Sequence, residues 1–320
     1  MQLSWSDPRL SVASDVRRTA RYRLLQSWYR EQVLHADYGE YRVNGGSRPL
    51  GSLLSLSDVV ERPELNFLTR NAAAYARERA DIVEASGGTI DKARLARNML
   101  SSLPMAFSIF GELRSREDRG LDVVRAFLDP QAVSVDVMEC VWRPAVDVLG
   151  DRSGFDAAVI TQRGDGSKHL VGIEVKYTEQ FNRTIYNSDG YRMVHEHSGW
   201  FHPGTARPLL GPSTNQLWRT SLLAAACAQH GVMGISSASV VVMCLGEDPD
   251  AARALAGISA ALREPQDHCR IVSLESFAAG LHDDGLGPQD GWAQTFAQRY
   301  LQPPEIHAEL PGVDSEALEL

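Results

Sequence analysis

From Pro130 to Tyr177 the chain spells three strands in succession, and the third carries two charges inside an otherwise apolar run. Val133, Val135 and Val137 alternate with Ser134 and Asp136, and Val141-Trp142 follow. Phe155 to Ile160 is a second strand pattern, Gly164-Asp165-Gly166 a turn, and His169 to Tyr177 a third strand. Side chains alternate along a strand. Glu174 and Lys176 therefore share one face, and Ile173, Val175 and Tyr177 share the other. A meander of these strands buries the apolar side and aims the charged pair at whatever the sheet opens on. A hairpin turning at Gly164–Gly166 sets Asp156 close to Glu174.

The first hundred residues read differently. Residues 13–34 fit a helix capped by Ser14 or Asp15, with Val16, Ala20, Leu24, Trp28 and Val33 near helical spacing. Arg17, Arg18, Arg21 and Arg30 lie on its other face with Tyr22 and Tyr29 between them. That mixture suits phosphate contact with base stacking; it equally suits a solvated helix face. Residues 35–50 are turn-rich. A second helix is expected over 63–85, and a third starts from a Thr89 or Asp91 cap and runs through Leu95 and Met99. Pro104 is expected to interrupt, with a short apolar helix resuming over 105–113. Beyond the meander, 178–213 read as irregular and polar. Helices are expected over 215–229, 250–263 and 274–281, and strands over 239–245 and 269–274. These runs divide the chain into a helical N-terminal region (1–105), an α/β core (106–301) and an acidic tail (302–320).

Several function classes lack support. There is no run near eighteen apolar residues, so no membrane span is expected. The first residues show no basic head followed by an apolar stretch. Cys140, Cys227, Cys244 and Cys269 are scattered without a C-x-x-C pair and suit reduced thiols of a cytoplasmic protein. Phosphate-loop, dinucleotide and G-x-S-x-G motifs are missing. The formal charge of -9 is uneven: residues 1–100 hold 15 basic and 12 acidic residues, and the remainder is strongly acidic. A polyanion would be opposed by that acidic part unless metal ions intervene. Only three of the 32 basic residues are lysine (Lys92, Lys168, Lys176), which fits a genome bias and still makes Lys176 conspicuous.

Asp156 and Glu174 are hard oxygen donors that suit Mg²⁺ or Mn²⁺, ions that keep several waters and use one or two carboxylates. A lysine beside them can contact a scissile phosphate, orient or help deprotonate the attacking water, and offset developing charge. An edge strand with an ordinary Glu–Lys pair has the same pattern. Elsewhere, His195, His197 and His202 form the densest histidine cluster, in a stretch read as loop. They suit either a transition-metal site or an exposed insertion.

Asp156 followed by Glu174-Val175-Lys176 and then a glutamine-bearing helix resembles the PD-(D/E)XK nuclease superfamily. Three segments resemble a branch of bacterial restriction-endonuclease-like proteins more closely. They are Asn98–Pro104 running to Phe110-Gly111-Glu112-Leu113, then Leu149–Asp156 running to Gly172–Glu179, then Asn215-Gln216-Leu217-Trp218-Arg219. The resemblance implies a restriction-endonuclease-like fold, with a mixed central sheet flanked by helices. It implies Asp156 and Glu174 as metal ligands, Lys176 as catalytic lysine, Glu112 as a third metal ligand and Gln216 as the residue that orients the site. Phe155 stands where the named motif has proline.

The resulting expectation is a cytoplasmic Mg²⁺- or Mn²⁺-dependent nuclease acting on DNA, with Arg17, Arg18, Arg21, Arg219 and the 180–213 stretch as nucleic-acid contacts. A homodimer is expected if both strands are cut at one site. Two alternatives stand beside it: a nuclease fold retained as a catalytically inactive nucleic-acid-binding or interaction module, and a metallohydrolase centred on His195, His197 and His202.

Overall fold

The computed structural model describes residues 9–302 apart from 11, 44 and 284–290; the acidic tail beyond 302 lies outside the described residues. Helix α1 (Arg17–Gln32) precedes a hairpin of β1 (Tyr38–Val43) and β2 (Gly46–Leu54). Helices α2 (Leu56–Glu61), α3 (Arg70–Ala85), α4 (Lys92–Arg97), α5 (Ser102–Arg114) and α6 (Glu117–Phe127) follow. Strands β3 (Ala132–Trp142), β4 (Phe155–Arg163) and β5 (Lys168–Val175) then run in sequence. Helices α7 (Asp189–His197) and α8 (Asn215–Gln229) lead to β6 (Ile235–Cys244). The order closes with α9 (Pro249–Ser259), α10 (Pro265–His268), β7 (Cys269–Ser273), α11 (Leu274–Asp283) and α12 (Trp292–Tyr300).

The five-stranded sheet is mixed, in the order β3-β4-β5-β6-β7. The pairs β3–β4 and β4–β5 are antiparallel, whereas β5–β6 and β6–β7 are parallel. Helical connections carry the chain between the parallel strands, as parallel pairing requires. On one face Ala157, Val159, Val171, Ile173, Val175, Val241 and Met243 pack with residues of α3 and α5, among them Ala76, Phe107 and Phe110. On the other face Ala158, Ile160, Leu170, Val240 and Val242 pack with Leu217, Trp218 and Leu222 of α8. Because both faces are covered, β5 and β6 read as nearly continuous apolar runs.

Four expectations about individual elements change. The turn-rich stretch 35–50 contains β1 and the start of β2; Gly39, Gly46 and Pro49 leave it without the apolar alternation that marks a half-buried strand. The helix expected from 63 starts only at Arg70, after Thr69, whose side chain accepts from Ala72 N. Pro104 does not interrupt: it lies in the first turn of α5, where its missing N–H costs no hydrogen bond. The division expected at 105 therefore falls inside α5. Tyr22, Leu25, Phe67 and Ala72 of the N-terminal region share one apolar core with the sheet. Helix α7 lies in the stretch read as irregular.

All four cysteines are unpaired and buried. No helix among the described residues is long and apolar enough to cross a membrane.

Gly172 on β5 is required by packing. A Cβ there would lie 2.4 Å from the Phe155 ring, which is itself buried and stacked on Trp142. Gly172→Ala is therefore expected to cost about 1–3 kcal/mol through overpacking. A urea midpoint unchanged from the unaltered protein would contradict this.

Candidate active site where strands β4 and β5 meet helix α8

The register Ala157↔Ile173 between antiparallel β4 and β5 makes Asp156 and Glu174 the next opposed pair, on the α8 side of the sheet. Asp156 Oδ2 accepts from Val175 N at 2.8 Å. Glu174 Oε1 accepts from Lys176 Nζ at 2.8 Å and from Gln216 Nε2. Gln216 acts as a fork: its Oε1 lies 3.4 Å from Lys176 Nζ and accepts from Asn182 N at 2.6 Å. Lys176 N donates to Met243 O at 2.8 Å, so the chain stays sheet-like past the end of β5. Glu174, Lys176 and Gln216 thus form one hydrogen-bonded cluster, and Asp156 adjoins it through Val175 N. Tyr177 points to the opposite face, where its Oη donates to Tyr300 O and accepts from Gln26 Nε2.

Glu174 and Lys176 are buried, while Asp156 keeps a partly exposed edge. That edge lines a cleft of about 1000 Å³ formed with the 141–155 segment, Arg79, Glu139 and Arg152. Loss of water around Asp156 and the adjacent Glu174 charge push its carboxyl up to about 7, against the opposing pull of Lys176. Burial by itself would lower the Lys176 ammonium, but Glu174 and Asp156 outweigh it and hold its pKa above the ordinary lysine value. Lys176 is therefore a fixed cation near neutral pH, suited to offset charge and to donate hydrogen bonds.

The donor set fits a small divalent cation. Asp156 and Glu174 are opposed like-charged carboxylates with little water, and hard oxygen pairs of this kind are what Mg²⁺ and Mn²⁺ take. Glu112 does not join them. Among the described residues no three His, Cys, Asp or Glu side chains are grouped to hold a metal ion. Glu112 is buried on α5, which covers the other face of the sheet, and accepts from Thr69 Oγ1 and Arg116 Nε, both at 2.7 Å. It thereby ties α5 to the start of α3.

The histidines do not converge either. Residues 195 and 197 lie on a helix, and positions two apart on a helix do not face each other. His195 is fully buried, stacked on Phe201, with Nδ1 accepting from Trp218 Nε1 and Nε2 paired to Thr205 Oγ1. Burial lowers its pKa. His197 is exposed and bonds Met193 O.

The arginines of α1 separate by role. Arg17 is exposed. Arg18 pairs with Asp248 at 2.6 Å, and Arg21 is exposed beside Glu247. Arg30 is buried against Gly51 O and Ala36 O, and Tyr22 and Tyr29 are buried too, so these rings are not free to stack on bases. Arg219 lies one helical turn beyond Gln216 and donates to Tyr191 Oη and Ser153 Oγ.

A model of the PD-(D/E)XK nuclease superfamily matches residues 13–302. The chain belongs to this superfamily. Comparison with curated proteins and with solved structures gives no match. The mixed five-stranded sheet flanked by helices agrees with the restriction-endonuclease-like fold of the superfamily.

Of two further residues at the site, only Asn215 escaped the sequence reading. Glu179, three residues past Lys176, suits either support of the site or a cap on the end of the strand. Its Oε1 accepts from Ser102 N at 2.7 Å and from Arg94, and its Oε2 accepts from Tyr177 N at 3.2 Å. It thus clamps the end of β5 to α5. Asn215 carried no signal beyond its place before Gln216, and its partners lie 29 residues away.

Proposed function

We propose that the chain is a metal-dependent nuclease hydrolysing phosphodiester bonds of DNA. The observation that carries this reading is the convergence of Asp156, Glu174, Lys176 and Gln216 in one cluster beside an arginine-lined cleft. Asp156 and Glu174 would hold Mg²⁺ or Mn²⁺. Such an ion supplies positive charge against phosphate oxygens and acidifies water. Lys176 faces the same point as a second positive charge and stabilises the negative charge that grows on the phosphoryl oxygens as water attacks and the leaving oxygen departs. Gln216 fixes Glu174 and Lys176 relative to each other through its two amide ends. Arg152, which lines the cleft, and Arg219 are candidates for contacts to neighbouring phosphates.

The test is incubation of the purified chain with linear duplex, circular duplex and single-stranded DNA, and with RNA, in Mg²⁺, Mn²⁺ or chelator. Metal-dependent cleavage of DNA is expected, reduced by about 10³-fold in Glu174→Ala. Undiminished cleavage by that variant, or no cleavage of any substrate by the unaltered chain, overturns the reading.

A further inference from the structure

We infer that Tyr186 is a stacking platform for an unpaired nucleobase, so that the strand cut at this site is single-stranded or ends in unpaired nucleotides; this rests on the nuclease reading above. The segment 178–188 has no regular secondary structure, yet the first turn of α8 holds it at two points. Gln216 Oε1 accepts from Asn182 N at 2.6 Å. Asn215 Oδ1 accepts from Tyr186 N at 2.8 Å, and Asn215 Nδ2 donates to Tyr186 O at 3.0 Å. Asn215 is fully buried. A buried amide spends its hydrogen bonds where desolvation makes them necessary, and here both go to the backbone of one exposed residue. Tyr186 is thereby fixed to the same helical turn that carries Gln216.

Tyr186 is 40% exposed, and the Arg219 guanidinium lies 3.8 Å from its ring centroid. Arg219 is in turn held by Tyr191 and by Ser153, three residues before Asp156. Tyr186 is therefore fixed to the α8 turn that carries Gln216, and Arg219 links it to Ser153 just before the strand that carries Asp156. An aromatic ring backed by a fixed cation is the chemistry that stacks bases in single strands, and it tolerates any base because every base has a π-face. Ile185 adds exposed apolar surface next to Tyr186 in the chain, and Arg183 on the same segment is exposed. In a paired duplex the base faces are already stacked on each other, so this platform has an occupant only where a base is free.

The experiment uses the full chain with Mg²⁺ and compares single-stranded oligonucleotides with blunt duplexes of the same sequence. Tyr186→Phe is expected to keep the KM of the unaltered protein, because stacking needs the ring and not the hydroxyl. Tyr186→Ala is expected to raise KM on single strands about tenfold with little change in kcat. An abasic residue walked along the strand near the cut should produce the same tenfold loss at one position with the unaltered protein, and no further loss with Tyr186→Ala. The abasic series needs no variant, so it decides the matter even if Tyr186→Ala folds poorly. Cleavage that is indifferent to every abasic position, or equal KM values for Tyr186→Ala and the unaltered protein, overturns the platform while leaving the nuclease reading intact. Absence of any cleavage by the unaltered chain removes both.

Discussion

Lys176→Ala is expected to cut the cleavage rate by at least about 10²–10³-fold and to destabilise the folded chain. Both effects have one cause. Lys176 Nζ is the cation at hydrogen-bond distance from Glu174, and its charge also acts on Asp156. Without it the growing charge on a phosphate loses a fixed partner. The two carboxylates lose their compensation as well, and breaking a buried ion pair from one side costs about 3–5 kcal/mol. The loss of stability should be larger at pH 8 than at pH 5.5, because Asp156 accepts a proton at the lower pH and relieves the repulsion. Initial rates with Mg²⁺, together with urea unfolding in chelator at both pH values, check this. A rate within tenfold of the unaltered protein removes Lys176 from the site. Arginine is not an equivalent replacement, since its planar fork cannot occupy the place of a compact ammonium between Glu174 and Gln216.

Asp156→Asn should separate activity from stability. Cleavage is expected to fall by about 10³-fold, because one of two hard anionic donors is gone. Stability in chelator should move the other way. The Asp156 carboxyl is raised to about 7 in the folded chain, so the folded state holds its proton more firmly than the unfolded state. The stabilisation from that proton is complete below the unfolded value, near 4, and is lost as pH rises towards about 7. Above that the folded protein carries a confined like-charge pair. Asn keeps an oxygen to accept from Val175 N and removes the charge. The variant is therefore expected to be more stable than the unaltered protein by about 1–3 kcal/mol at pH 8, a rise of several degrees in Tm for a chain of this size. The gap should narrow as pH falls through about 7 and close near pH 4. Added Mg²⁺ should raise the Tm of the unaltered protein at pH 8 and leave the variant nearly unmoved. Melting profiles of the two proteins that run in parallel from pH 5 to 9 would contradict the electrostatic account.

The strand pair at the centre of both results was legible before any coordinates. Alternation along 169–177 assigns Glu174 and Lys176 to one face. A turn at Gly164–Gly166 sets the register of an antiparallel pair, which brings Asp156 opposite Glu174. Helix α8 was legible within its observed limits as well. What α8 faces was not. Gln216 reaches Glu174 only because the crossover from β5 to β6 lays α8 over that face of the sheet.

The other differences share a physical origin. Glu112 lies on a helix whose existence was clear, but its oxygens are claimed by Thr69, 43 residues earlier, and by Arg116, four residues later on the chain. The arginines and tyrosines of α1 looked like a nucleic-acid face, yet α1 packs against the hairpin and α12. Arg30, Tyr22 and Tyr29 are consumed inside the fold. His195 and His197 read as neighbours in a loop until α7 turned them apart.

By itself, then, the sequence determined the three-strand meander and helix α8, which face each strand side chain takes, and that Asp156 stands opposite Glu174 with Lys176 on the same face. Those properties follow from local period and short-range pairing. The tertiary structure alone decided that Gln216 completes the cluster, that Glu112 stands outside it and that Asn215 pins Tyr186 beside it. Each of these depends on which surface packs against which, and local backbone geometry aims a side chain without specifying what lies across from it.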